Sequence, residues 1–90
     1  MKPYTEESFI KHGTKESYTI RTFENECDDL WFKEKDTQRV RVFTSNGWRL
    51  QIGEDQPVIM EIGKQYNIPK NKFYRVLKGQ GNLVVRLEII

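Results

Sequence analysis

The chain is short, mixed in composition and close to charge balance. Its 90 residues suffice for one domain and leave no room for a second hydrophobic core. Hydrophobic residues make up 37% of the chain, which excludes a wholly disordered polypeptide. No apolar run exceeds three residues, so we expect no transmembrane helix, no secretory leader and no membrane partner.

The single cysteine and the charge distribution bear on location and partners. Cys27 has no second cysteine to pair with, so we expect an inert buried thiol in a reducing, cytoplasmic environment. Residues 1–36 carry six Lys/Arg and nine Asp/Glu (net −3), whereas residues 37–90 carry nine and four (net +5). The basic half could steer an acidic ligand or nucleic acid. We favour the simpler interpretation that basic side chains alternate on the solvent faces of strands.

The N-terminal third predicts a little helix and then a strand. Thr5 is a helix-capping residue, acidic residues follow it, and Gly13 suits a helix exit, so residues 5–13 predict one or two helical turns. Residues 17–24 alternate in the manner of a strand. An acidic loop follows over residues 24–29, and a short strand begins at Leu30.

From residue 39 onward the pattern is one of short strands separated by turns. Residues 39–43 alternate, with Val40 and Val42 on one face. The following Asn46-Gly47 predicts a hairpin with residues 48–52 as its return strand. Further strands are predicted over residues 58–62, 66–68, 73–78 and 83–89. Seven or eight short strands with almost no helix are typical of an all-β barrel or sandwich.

The segment from Gly63 to Lys78 has a distinctive spacing. It resembles the second signature of the cupins, Gly-x5-Pro-x-Gly-x2-His-x3-Asn. Gly63 and Pro69 match this signature, whereas Asn71, Tyr74 and Lys78 depart from it. Asn71 is the mildest departure, because asparagine tolerates the left-handed turn that the signature's glycine adopts.

The remaining strands extend this resemblance over residues 17–90. Residues 30–36, 39–43 and 46–51 look like the first half of a minimal single-domain cupin, and residues 78–88 look like its closing strands. Small proteins of this kind occur in bacteria and in their phages. The resemblance implies one cupin-like domain over residues 1–90, with an N-terminal segment (1–16) and a small jelly-roll β-barrel (17–90).

The resemblance also bears on metal chemistry, since cupin enzymes generally hold a divalent metal with three His and one Glu. It places the four ligand positions at or near Phe32, Glu34, Arg39 (or Gln38) and Tyr74. The one histidine of the chain, His12, lies outside both motifs. We therefore expect no bound metal, no cofactor, no catalytic residues and no enzymatic activity.

A barrel without a metal still has a mouth between its two sheets. We expect the mouth to be lined by Phe32, Glu34, Arg39, Trp48, Gln51 and Tyr74. A few polar groups on an apolar concavity are typical of a small-ligand site. The alternative is that Phe32 and Tyr74 close the barrel as ordinary core residues.

The predicted function is a non-catalytic domain that binds a small molecule or a protein, as a homodimer. The strand over residues 17–24 is the candidate to be exchanged with a partner or to add onto a partner sheet. One alternative is an oligonucleotide-binding barrel, because Phe43, Trp48, Phe73 and Tyr74 lie among basic residues. Acidic residues nearly balance the basic ones, which disfavours nucleic acid. A structural subunit of an assembly, such as a phage particle, is the other alternative.

Overall fold

The structure, a computed structural model, describes residues 4–14, 16–25 and 30–90. Cys27 and most of the predicted acidic loop lie outside these residues. The described residues form eight β-strands and no helix. The strands are β1 (Tyr4–Ile10), β2 (Ser17–Phe23), β3 (Gln38–Thr44), β4 (Arg49–Ile52), β5 (Val58–Ile59), β6 (Gln65–Ile68), β7 (Tyr74–Leu77) and β8 (Leu83–Ile89). An all-β chain is therefore confirmed, and no described helix has the length and apolarity to cross a bilayer.

The predicted N-terminal helix is wrong, because this segment is strand β1. Its backbone pairs with β2 from Tyr4 opposite Phe23 to Ile10 opposite Ser17. A helix of one or two turns is marginal in water, so a seven-residue ladder outweighs the local capping signals. Gly13, with a φ of 75°, serves the turn between the two strands instead of ending a helix.

The strands form two antiparallel sheets. The larger sheet has the order β1-β2-β8-β3-β6, and the smaller one has the order β5-β4-β7. Strand β2 is paired on both sides, with β1 and with β8. It therefore has no free edge with which to add onto a partner sheet, and this part of our expectation for residues 17–24 is wrong, whereas exchange of the strand stays a prediction.

The predicted hairpin at Asn46-Gly47 is also wrong, because β3 and β4 belong to different sheets. The turn instead carries the chain from one sheet to the other. It lies against the β7–β8 turn, where the Gln80 N–H donates to the Asn46 carbonyl at 2.8 Å. Gly79 passes so close that a Cβ there would overlap the Asn46 carbonyl oxygen. The crossing delivers Trp48 to the interior, where its exposed fraction is 0%.

The core lies between the inner faces of the two sheets. Val40 and Val42 are both buried on one face of β3, as their alternation predicts. The larger sheet contributes Phe23, Val40, Val42, Ile68, Leu83, Val85 and Leu87, and the smaller sheet and its flanks contribute Trp48, Leu50, Met60, Tyr74 and Val76. Burial of these side chains stabilises the pair of sheets at about 1.5–3 kcal/mol for each large aliphatic residue.

The Pro69–Lys72 segment is the turn between β6 and β7, as predicted. Asn71 adopts the left-handed conformation expected of it, with a φ of 60°. Its N–H donates to the Glu34 carbonyl at 2.7 Å, so the turn is tied to the segment that precedes β3. The turn therefore fixes Glu34 next to the start of β7, which begins at Tyr74.

Candidate functional site

A buried arginine lies at the end of the core, between the two sheets. Strand β2 places Arg21 and Phe23 on its inner face, because alternate residues of a strand point the same way. Arg21 is 6% exposed and is the buried charged residue of the described chain. A buried charge is costly unless it is paired and hydrogen-bonded, so its partners define the site.

The guanidinium of Arg21 donates to two carboxylates and one phenol. Its Nε and Nη2 donate to Glu6 Oε2 at 3.0 and 2.9 Å. Its Nη1 donates to Glu34 Oε1 at 3.3 Å and to the Tyr74 hydroxyl oxygen at 2.9 Å. The Tyr74 hydroxyl in turn donates to Glu34 Oε1 at 2.7 Å. The guanidinium carbon also lies 4.0 Å from the centre of the Tyr4 ring, a cation–π contact.

This network determines the protonation of its members. Burial raises the pKa of the Tyr74 phenol well above its ordinary value, against the opposing effect of the Arg21 charge. Burial alone would lower the pKa of Arg21, but Tyr74, Tyr4 and Glu6 outweigh it and the pKa is raised. Tyr74 is therefore a neutral hydroxyl donor, and Arg21 is a permanent cation.

Backbone pairing brings Glu34 to the network. Phe32 and Tyr74 exchange two backbone hydrogen bonds, of 2.7 and 2.8 Å, in an isolated antiparallel bridge. This bridge fixes residues 32–34 along the start of β7. The rings of Phe32 and Tyr74 lie 5.7 Å apart, centre to centre, so Phe32 packs beside the network.

The structure brings together three of the six residues predicted to line the mouth, namely Phe32, Glu34 and Tyr74. Trp48 is fully buried core. Arg39 is exposed on the outer face of the larger sheet, opposite Glu88 of β8. Gln51 lies on the outer face of the smaller sheet, where its Oε1 accepts a hydrogen bond from Arg75 Nε at 2.8 Å.

Arg21 separates a filled interior from an open mouth. On the inner side it borders a cavity of about 10 Å³ among core side chains, which holds one water at most. On the outer side it borders an open cavity of about 180 Å³. This open cavity is the mouth that the structure shows, and none of the six residues predicted to line the mouth is part of its lining. Its lining consists of Glu6, Ser17, Tyr18, Thr19, Arg21, Gln38, Leu87 and Ile89. Among the described residues, the interior beside Arg21 is therefore filled, and the cavity of about 180 Å³ lies along β1, β2 and β8.

The residues of this site do not fit a metal ion. Glu34 and Tyr74 are the two described positions where the resemblance would place ligands inside the barrel, and both contact Nη1 of Arg21. Phe32 offers no donor atom. A phenol binds a cation well only as phenolate, and burial holds Tyr74 in the protonated form. The described residues contain no cluster of three or more His, Cys, Asp or Glu side chains with metal-binding geometry.

Sequence reasoning missed Arg21 and Glu6, which complete the site. The alternation of residues 17–24 already puts Arg21 on the same face as the apolar Phe23, and that is the signal that could have identified it. The sequence pattern predicts that Glu6 lies in a helix. Its position opposite Arg21 depends on the pairing of β1 with β2, which local pattern does not specify.

Comparison with known proteins places the fold. No known protein-family profile matches the chain, and no curated protein matches it. A Vibrio parahaemolyticus protein of unknown function has a similar structure, with a TM-score of 0.78 at 12% identity over 98% of this chain and 88% of that one. A DUF1255 protein of unknown function from an Acinetobacter species has a TM-score of 0.72 at 13% identity, over 100% and 97% of the two chains.

An enzyme is also among the similar structures. The DMSP lyase DddQ from Ruegeria pomeroyi has a TM-score of 0.71 at 6% identity, over 94% of this chain and 45% of the lyase. The chain has the fold of these proteins. The likenesses are consistent with a cupin-like domain, and at such low identity they show the fold alone.

Proposed function

We propose that the protein is a metal-free, non-catalytic cupin-like jelly-roll domain that binds a small polar molecule at its mouth. The position of Arg21 is the observation that supports this most. Its Nη1 lies 2.9 Å from the Tyr74 hydroxyl and 3.3 Å from Glu34, the two positions where a cupin would present metal ligands. By the resemblance, a side-chain cation thus contacts two of the positions from which an enzyme of that family would bind a metal ion.

Charge supports the metal-free part of the proposal. The guanidinium already occupies the carboxylates of Glu6 and Glu34, so a metal ion would have to compete with a permanent side-chain cation for both of them. Metal content of protein purified without chelators, measured by mass spectrometry, tests this directly. We expect no stoichiometric transition metal and no change in melting temperature with EDTA. A stoichiometric ion whose removal lowers the melting temperature would overturn it.

The lining of the mouth indicates the chemistry of the ligand. Ser17, Thr19 and Gln38, which carry two hydroxyls and an amide, line a cavity of about 180 Å³, and the Thr19 hydroxyl shares a hydrogen bond of 3.3 Å with Ser8 Oγ. An anion would have to compete with two carboxylates for Arg21, so the site disfavours phosphates and carboxylates. Hydroxyl and amide groups match a neutral molecule with hydroxyls of its own. We infer a small polyhydroxylated ligand.

An NMR titration with three probes tests the ligand class: glucose, ethanolamine and inorganic phosphate. We expect glucose to shift the amide signals of Ser17, Thr19 and Gln38. Thr19→Val, which removes one hydroxyl at constant volume, should weaken this response about threefold or more, the loss of one hydrogen bond. Thr22→Val is the matched control, because Thr22 lies on the opposite face of the same strand.

Two outcomes would contradict the ligand class. Phosphate binding at the same amides more tightly than glucose would show that Arg21 is available to anions. An equal loss in Thr19→Val and Thr22→Val would show that the mouth is not the binding site. Neither outcome depends on the metal content.

The homodimer stays a prediction. Strands β1 and β6 are the edges of the larger sheet in the described residues, so a partner that extends this sheet would pair with one of these and not with β2. Sedimentation over a range of concentrations decides it, and a strict monomer would contradict it.

Nucleic acid is not part of the proposal. Two of the four aromatic residues that prompted this alternative, Trp48 and Tyr74, are buried in the core and cannot stack on bases. Phe43 and Phe73 are exposed. Absence of single-stranded DNA binding at low salt is the expected result.

A further inference from the structure

An apolar cleft lies between two exposed aromatic rings on the outer side of the smaller sheet. Trp31 is 42% exposed and Phe73 is 52% exposed, although side chains of this size are ordinarily covered. The cleft between them has a volume of about 410 Å³ and is lined by Trp31, Gly53, Glu54 and Phe73. It is separate from the mouth, with which it shares no lining residue.

The backbone builds this cleft. The bridge between Phe32 and Tyr74 makes Trp31 the neighbour of Arg75, and Lys33 the neighbour of Phe73, across the strands. The Gly53 N–H donates to the Phe73 carbonyl at 2.8 Å, which places Gly53 beside the Phe73 ring. Gly53 has a φ of 55°, which favours glycine, and the absence of a Cβ there lets the Lys72 side chain lie against its backbone.

Basic side chains surround the cleft. The guanidinium carbon of Arg75 lies 4.6 Å from the centre of the Trp31 ring, and Lys33 Nζ lies 4.8 Å from the centre of the Phe73 ring. The Lys72 side chain passes over Gly53, so that a Cβ added at Gly53 would lie only 2.9 Å from Lys72 Cε. Glu54 is the one acidic residue of the lining. Three cations against one carboxylate make the cleft complementary to an acidic partner.

Arg75 is held in place for such a partner. Its Nε donates to Gln51 Oε1 at 2.8 Å, and Gln51 Nε2 donates to the Asp55 carbonyl at 3.1 Å. Within the described part of the chain, its two terminal nitrogens donate to no protein acceptor. A guanidinium fixed at Nε, and half-buried against the Trp31 ring, keeps its terminal N–H groups available for a carboxylate.

We propose that this cleft docks an acidic peptide segment of a partner protein. One apolar side chain of the segment inserts between Trp31 and Phe73, and flanking Asp or Glu residues pair with Arg75 and Lys33. A peptide fits better than a small molecule, because the cleft is open on one side and would leave a small molecule largely exposed. Tryptophan and arginine are also the residues that most often dominate the free energy of protein–protein binding.

Fluorescence anisotropy with a fluorescein-labelled peptide tests the proposal. The probe has the sequence Asp-Asp-Leu-Asp-Asp, with Ala in place of Leu in one comparison peptide and Lys in place of Asp in another. We expect the probe to bind in the micromolar to millimolar range and both comparison peptides to bind at least about fivefold more weakly, a loss of roughly 1 kcal/mol.

Matched variants locate the binding. Trp31→Ala and Arg75→Ala should each weaken the probe about fivefold or more, the threshold of a significant interface residue. Phe43→Ala and Arg41→Ala remove an exposed aromatic and an exposed arginine from the other sheet and should leave binding within about twofold. Urea midpoints of all four variants confirm that each remains folded.

Four results would overturn the proposal. The first is no binding of the probe up to about 1 mM. The second is equal binding of the Lys-flanked peptide, which would remove the charge argument. The third is an equal loss of binding in the control variants, which would show that the cleft is not the binding site. The fourth is self-association of the wild-type protein that Trp31→Ala abolishes in sedimentation, because a second copy of the chain would then be the occupant.

Discussion

Removal of Arg21 is the perturbation that tests the site most severely. Arg21→Met keeps most of the side-chain volume and deletes the charge together with its hydrogen bonds to Glu6, Glu34 and Tyr74. Two carboxylates are then left facing each other near the core without a counterion. We expect a large loss in the free energy of unfolding, caused by these carboxylates and not by lost packing.

The magnitude follows from the burial of the partners. Breaking a buried ion pair by removing one member costs about 3–5 kcal/mol. The side chains of Glu6 and Glu34 are 27% and 23% exposed, so each reaches some water and the lower end, about 3 kcal/mol, applies. A domain of 90 residues has a total stability of about 5–13 kcal/mol. The variant should therefore lose a substantial fraction of its stability and still fold under mild conditions.

Urea unfolding followed by tryptophan fluorescence measures the loss, because Trp48 is fully buried and will report on the core. A slope of about 1–3 kcal/mol per molar urea converts 3 kcal/mol into a midpoint shift of about 1–3 M. Adding Glu34→Gln to Arg21→Met removes one of the unpaired carboxylates and should recover part of the lost free energy of unfolding. Arg41→Met, at an exposed position, is the control and should lie within about 0.5 kcal/mol of wild type. If Arg21→Met loses less than about 1 kcal/mol, or Glu34→Gln recovers nothing, the network does not stabilise the interior as described.

The remaining predictions concern backbone geometry and pH. Gly79→Ala should lower the free energy of unfolding by about 3 kcal/mol, because its Cβ would overlap backbone atoms. Gly13→Ala has open space at a φ of 75° and should lower it by about 1 kcal/mol. Similar losses of the two variants in thermal unfolding would contradict the close approach at Gly79. Asn71→Val should lose about 1–2 kcal/mol and Asn71→Gly almost nothing, since a β-branched residue is strained at a φ of 60°. The pKa of Tyr74 is raised in the folded state, so its stabilising contribution is complete below pH 10, where the unfolded phenol is also protonated, and falls as pH rises above 10. Between pH 9 and 11 the free energy of unfolding, measured with urea, should therefore fall more steeply for wild type than for Tyr74→Phe. The slopes should differ by up to about 1.4 kcal/mol per pH unit, and equal slopes would contradict the buried neutral phenol.

The sequence predicted those features that depend on neighbouring residues. Alternation identified Val40 and Val42 as buried, and the residue type at position 71 predicted its left-handed backbone. Both follow from local stereochemistry, which a short segment contains in full. The all-β class and the turn before Tyr74 were predictable for the same reason.

Features that depend on strand pairing were not predictable. Asn46-Gly47 specifies a tight turn, but nothing local says whether the next strand returns to the same sheet or crosses to the other. The hydrogen bond between Arg21 and Tyr74 joins residues 53 positions apart. Glu6 reaches Arg21 only because β1 is a strand, which its capping signals argue against. The candidate site was therefore half predicted: Glu34 and Tyr74 were identified, whereas Arg21 and the second carboxylate, Glu6, were missed.

The position of β8 in the larger sheet has a consequence for how the chain reaches its folded state. Strand β8 lies in the middle of that sheet, between β2 and β3, although it is the last strand of the chain in sequence. Residues 19–23 cannot pair with residues 83–87 until the latter have left the ribosome. The larger sheet therefore cannot form completely until β8 has been synthesised. Pairings of such long sequence separation also slow folding in general. In a chain interrupted before residue 83, the edges of β2 and β3 that normally pair with β8 would stay unpaired, and unpaired edges promote aggregation.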